Sequence, residues 1–210
     1  MKQVFITIMT ILLFANIVFS QTGQMTDNRD GRTYKTIFFD KFEIMAENLK
    51  FGKAGICYSK ENIFCSQFGR LYDYKDVVNN ICPDGWHIPT EGEWRYILLK
   101  IKGEIYSRNN LYAVSNNENL LKLSKGGIGS AKYNDATKVQ FSNVNLNGFY
   151  ASSSTVFEEV GGIESEKWII LTFEDNGLAN NPSTTKYKYT FQIGSTSIND
   201  NVSCRCMKDY

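Results

Sequence analysis

The chain has one histidine, no surplus of charge and only one long apolar run in 210 residues. Lys and Arg number 23 against 22 Asp and Glu, so no electrostatic footprint for nucleic acid or an anionic membrane exists. No repeat, low-complexity tract or charge block interrupts the sequence. Phosphate loops, zinc-protease motifs, G-x-S-x-G elbows and dinucleotide fingerprints are absent. Gly127-Ile128-Gly129 lacks a strand before it and a helix after it, and reads as loop. His87, the lone histidine, has no Cys or carboxylate at ligand spacing in the sequence. Its setting, Gly85-Trp86-His87-Ile88-Pro89, is an extended lead-in that suits a structural hydrogen bond.

The apolar run is Val4 to Phe19, preceded by Lys2 and followed by Val18-Phe19-Ser20 before Gln21, the pattern of a signal peptide over residues 1–20. A membrane anchor is the competing reading of so marginal a length. The polar Gln21-Thr22-Gly23-Gln24 flank, without a basic stop-transfer cluster, argues against it. The expected product is secreted or held at the cell surface, with no span left after cleavage. Losing Lys2 leaves 22 basic residues against 22 acidic ones. Residues 21–25 read as a flexible leader, and the remainder to residue 210 is long enough for one well-cored domain. Aromatic content of 14% with negative mean hydropathy suits a β-rich extracellular module rather than a disordered stalk. Five cysteines in an exported chain point to disulfides with one thiol left over.

Tyr34–Phe39 and Phe42–Leu49 read as strands split by a turn at Asp40-Lys41. Tyr74, Val77, Val78 and Ile81 share a helical face, with Asp73 as cap and Pro83 as stop. Thr90 and Glu93 form a capping box ahead of the stripe Trp94, Ile97, Leu98 and Ile101, with Gly103 closing the helix. Residues 104–147 are polar and read as loop around a short helix near Asn119 to Leu123. Phe149–Ser153, Trp168–Phe173 and the alternating Lys186–Ile193 read as strands. In a terminal strand Val202, Cys204 and Cys206 share one face and Arg205 faces outward. The order of elements suggests an α+β fold.

Several motifs in order resemble the Fibrobacter succinogenes major paralogous domain family. They are Thr26-Asp27-Asn28-Arg29-Asp30-Gly31-Arg32-Thr33-Tyr34-Lys35-Thr36, Met45-Ala46-Glu47-Asn48-Leu49, Cys57-Tyr58, Cys65 and Gly69-Arg70-Leu71-Tyr72. Cys82-Pro83-Asp84-Gly85-Trp86-His87-Ile88-Pro89-Thr90, Glu93-Trp94 and Arg205-Cys206-Met207-Lys208-Asp209 complete the series. Phe42 and Ile44 stand where the family usually carries Gln and Trp, and its Pro-Gly-Gly stretch is missing. The resemblance implies a C-type-lectin-like fold, two short helices packed on small antiparallel sheets with long loops. It also implies disulfides Cys57–Cys65 and Cys82–Cys206. Cys204 stands where the family tends to have Val and reads as a buried free thiol, with a reactive thiol or a partner-swapped bridge as the alternatives.

The expected function is an exported, non-catalytic binding or adhesion module for a glycan or a protein surface. A structural surface component is the alternative, and an enzyme akin to the sulfatase-modifying oxidases is the third. No catalytic residue, metal ligand or cofactor is assigned. Paired carboxylates such as Glu158-Glu159 or Asp84 with Glu91 could serve glycoside cleavage, but read better as solvated surface. Glu174-Asp175-Asn176 with Asn180-Asn181, and Asn199-Asp200-Asn201, could hold calcium, though turn chemistry explains them equally well. Recognition is expected on irregular segments 142–167 and 174–185, without metal and with little salt dependence.

Overall fold

The computed structural model describes residues 22–100, 104–107, 112–115, 121–132, 135–175 and 189–210. Residues 1–20, read above as a signal peptide, and Ile101, Gly103, Asn119 and Lys186–Lys188 lie outside the described residues. So does segment 176–185, which holds most of the second expected recognition loop.

The fold is mostly β. A four-stranded sheet has the order β1 (Thr22–Asp27), β2 (Arg32–Phe39), β3 (Phe42–Met45) and β13 (Met207–Asp209). Residues 22–25, read as a flexible leader, belong to β1, which pairs antiparallel with β2 from Thr22↔Ile37 to Asp27↔Arg32. Its side chains alternate between exposed and half-buried, a weak hydrophobic signal that backbone pairing overrides. The Asp40-Lys41 turn stands where expected, with Asp40 at φ 54°.

The second sheet follows the path β4 (Leu71–Tyr72), β12 (Val202–Ser203), β9 (Asn147–Val160), β10 (Ile163–Asp175), β11 (Tyr189–Ser197), β6 (Tyr112–Ser115) and β5 (Glu104–Ser107). β7 (Gly126–Lys132) and β8 (Asp135–Val144) form a hairpin beside it. The polar stretch read as loop over 104–147 therefore contains four strands, and the glycine cluster opens β7. Edge hairpins need little apolar alternation, so the polar composition concealed them.

Three short α-helices and a 3-10 turn at Tyr58–Lys60 complete the regular structure of the described residues. α1 (Asn62–Phe68) begins inside the Cys57–Cys65 stretch, where a polar loop was expected, carries Cys65 itself, and has no buried residue to announce it. In α2 (Tyr74–Val78) the Asp73 side chain accepts from Asp76 N at 2.9 Å. That helix ends before Pro83, at Asn79, and Asn80 takes φ 55°. Val77 and Ile81 are buried while Val78 is exposed. In α3 (Glu91–Lys100) the capping box is formed: Thr90 Oγ1 accepts from Glu93 N at 3.2 Å, and Glu93 Oε2 accepts from Thr90 N at 2.7 Å.

Two clusters make the core. Trp94, Ile97 and Leu98 pack with Tyr150, Leu171, Phe173, Phe191 and Ile193 of the large sheet and with Ile37, Phe42 and Ile44 of the small one. Tyr34, Leu49, Tyr72, Val77, Trp168 and Val202 surround the Cys82–Cys206 disulfide in the second cluster. That bridge closes a separation of 124 residues, worth about 5 kcal/mol on the chain-entropy view, while Cys57–Cys65 closes 8 and is worth about 2–3.

Arg205 does not face outward; it is 1% exposed. Cys204–Cys206 lie between β12 and β13 and are not strand, so strand alternation does not govern them. The guanidinium donates to Asn48 Oδ1 at 2.9 Å and to the carbonyls of Met45, Leu121 and Lys122. It also sits over the Tyr150 ring at 5.4 Å.

Candidate binding surface

Segment 142–167, expected to be irregular, is mainly the long hairpin of β9 and β10. Its turn is Gly161-Gly162, with φ 63° and 79°. Left-handed values at both central residues suit the two-residue hairpin turn that follows strand twist.

At the hairpin base, Trp168 pairs with Thr155 and Ile170 with Ala151, so β9 carries two extra residues opposite Ile169. Ser152-Ser153-Ser154 together face Ile169, and each serine is used. Ser152 Oγ donates to Ile169 O at 2.6 Å and accepts from Ser154 N at 3.1 Å. Ser153 N donates to Pro89 O, and Ser154 Oγ accepts from Glu91 N at the start of α3. Trp94 Nε1 donates to Ala151 O and Trp168 Nε1 to Ser152 O. This bulge fixes the hairpin base against α3, and a bulge increases the local bend of its strand.

Beyond the base, β9 and β10 pair only with each other. Pairing of β10 with β11 begins at Lys167↔Ser197, and β9 meets its other neighbours at Gly148 and Tyr150. Residues 156–166 therefore form a projecting two-stranded arm.

Strand alternation assigns its faces. The register Phe157↔Glu166 and Glu159↔Glu164 puts an aromatic ring and three carboxylates on one face. That face continues the one that buries Trp168, yet Phe157 is 65% exposed. The other face carries Val156, Glu158, Ile163, Ser165 and Lys167, and Ile163 is 72% exposed. Glu158 accepts from Ser195 Oγ. Among the described residues Glu159, Glu164 and Glu166 have no ion pair. Opposed like charges such as Glu159 and Glu164 destabilise a strand pair by up to about 1 kcal/mol.

The other sequence candidates separate cleanly. Glu158 and Glu159 point to opposite faces of β9. Glu91 pairs with Arg95 at 2.6 Å, and Asp84 is exposed. Asp200 is 7% exposed and accepts from Thr196 Oγ1 and Ser197 N, while Asn201 exchanges backbone bonds with Gly129. Turn chemistry thus accounts for the Asn199-Asp200-Asn201 loop. Asp175 ends β10, and Asn176 and Asn180-Asn181 lie outside the described residues. Cys204 is fully buried and unpaired. Burial first, then the charges of Asp76 and Asp73, push its thiol well above the ordinary value. His87, for which sequence spacing offered no partner, has Glu93 Oε1 at 3.1 Å from Nε2.

These features define a disulfide-stapled, mostly β protein with an acidic, aromatic-bearing arm. Residues 25–208 match the Fibrobacter succinogenes major domain, and the chain belongs to that family. No curated protein and no solved structure matches it.

Proposed function

We propose that the protein is an exported, non-catalytic binding module, built on a C-type-lectin-like scaffold, that uses the β9–β10 arm to engage a basic protein surface. The exposure of Phe157 and Ile163 on an arm with three unpaired carboxylates carries the reading. Full burial of a side chain of this size yields about 1.5–3 kcal/mol, so Phe157, on the carboxylate face, is the main anchor, and Ile163 on the opposite face adds to it where the partner reaches around the arm. Lys or Arg on the partner would complement Glu159, Glu164 and Glu166 and relieve the opposed pair. A neutral glycan would leave those charges uncompensated. A second copy would bring like charges together, so the purely structural alternative is weaker at this surface. Two disulfides support export, and no helix among the described residues is long and apolar enough to cross a membrane. A partner of this kind replaces the earlier expectation of little salt dependence.

Binding of the purified protein to arrays of basic peptides, neutral peptides and glycans, at low and raised salt, tests this. Basic peptides should bind, weaken with salt, and be lost with Phe157→Ser and Glu159→Gln. Binding confined to glycans, or unchanged in the arm variants, would refute the reading.

A further inference from the structure

The arm lies apart from a second cluster in which three segments converge. His87 is held by reciprocal backbone bonds to Met207, 2.9 Å from His87 N to Met207 O and 2.8 Å from Met207 N to His87 O. This contact brings the lead-in to α3 against β13, whose last residue is Asp209. The Thr90 cap holds Glu93 on the first turn of α3. Its Oε2 accepts from both the N and Oγ1 of Thr90, at 2.7 and 2.9 Å, which leaves Oε1 aimed at His87 Nε2. One ligand atom from each of His87, Glu93 and Asp209 lies within 4.8 Å of the others.

We infer that His87, Glu93 and Asp209 form a site for a divalent transition-metal ion of the zinc class. Zinc bonds to nitrogen and oxygen at about 2.0–2.2 Å, which puts two ligand atoms of a tetrahedral ion about 3.3 Å apart. The His87–Glu93 separation of 3.1 Å fits that span. Asp209 is exposed at the end of a strand, its carboxylate already within 4.8 Å of the other two ligand atoms, and the proposal requires it to close to bonding distance when an ion binds. One imidazole and two carboxylates suit a borderline ion. Calcium takes six to eight oxygens, and magnesium demands near-octahedral oxygen ligation. The Thr90 bonds to Glu93 orient that carboxylate before an ion arrives, the role that outer hydrogen bonds play at protein metal sites, and the two backbone bonds of His87 fix where its main chain stands against β13. His87 and Glu93 are 36% and 21% exposed at the side chain, so the ion reaches them from solvent, and three protein ligands leave a coordination position for water or a partner's group.

The chain's single histidine makes the test clean. The untagged protein is stripped with a chelator and titrated with zinc, followed by calorimetry and by the NMR signal of the one imidazole. About one zinc per chain should bind and shift the His87 resonance, with millimolar magnesium or calcium failing to compete. Glu93→Gln preserves the capping box, because Gln caps as Glu does, and Asp209→Asn alters an exposed terminal side chain. Each should weaken zinc about tenfold or more. The site is wrong if no binding is seen up to about 1 mM zinc, or if zinc binds without moving the His87 signal. It is equally wrong if the double variant binds zinc as tightly as the parent.

Discussion

Arg205 offers the most direct test of how this fold is held together. Its guanidinium binds Asn48 Oδ1 and the carbonyls of Met45, Leu121 and Lys122, joining segments that are about 80 and 160 residues away in the chain. Burial pushes its pKa down, and the Tyr150 ring and hydroxyl and the more distant Glu47 charge only partly offset this. Replacing it with Met keeps the length of the side chain and removes every donor. Asn48, Met45 and Leu121 are nearly inaccessible, so three acceptors lose their partner without gaining water. Each buried orphan costs about 1–3 kcal/mol. Removing an expensive buried charge returns several kcal/mol of desolvation. The balance is a loss of about 2–4 kcal/mol for Arg205→Met, a large share of the stability of an ordinary domain. Urea unfolding with the disulfides intact, at unchanged m-value, reads it. A loss below about 1 kcal/mol would mean that the carbonyls find other donors and that Arg205 does not organise this junction.

Asp27 is buried and ion-paired to Arg29 at 2.7 Å. Burial opposes its ionisation, but the Arg29 side-chain and backbone hydrogen bonds and charge together outweigh it and hold its pKa below the ordinary value. A depressed folded-state pKa contributes stability that is full above the unfolded value near 3.9 and is lost as pH falls through the folded value. The stability gap between parent and Asp27→Asn should therefore narrow on acidification below about pH 4; a gap independent of pH in urea melts would sink the assignment. Thr90→Ala should cost about 1 kcal/mol through lost capping, and Trp94→Ala about 3–5 through the cavity left in the core. Equal small losses in denaturant melts would show that α3 packs on another face. Non-reducing peptide mapping should recover Cys57–Cys65 and Cys82–Cys206 with Cys204 alkylated only after unfolding. Recovery of a Cys82–Cys204 peptide would shift the C-terminal register by two.

What could be read in the sequence was whatever acts over a few residues. The Thr90–Glu93 box, the Asp73 cap, the Asp40 turn and the buried face of α3 each depend on neighbours within about four positions. The strands Tyr34–Phe39 and Trp168–Phe173 announced themselves by apolar content; the first came out slightly longer, at 8 residues, and the second more than doubled, to 13. Features made by distant partners stayed hidden. Arg205 looked like the polar side of a strand because nothing nearby reveals that Leu121 and Lys122 present carbonyls to it. His87 looked partnerless because Glu93, six positions on, is turned back toward it only by the start of α3, and because Met207, whose backbone holds it, is 120 positions away.

The serine run at 152–154 shows why composition misled at the arm. Ser, Thr, Asn and Gly at this density suggested an irregular segment, yet the hydroxyls of Ser152 and Ser154 satisfy the backbone of a bulge and of a helix start. These two hydroxyls take over hydrogen bonds that the strand ladder gives up there, as short polar side chains can, while Ser153 uses its backbone N–H. A polar sequence is then compatible with a rigid base, and the residues beyond it inherit a fixed direction. Rigidity at the base is also what makes exposed Phe157 useful. An anchor held in place loses less conformational freedom on binding than one on a mobile loop. The same serines that obscured the hairpin thus supply the pre-organisation on which the proposed binding role depends.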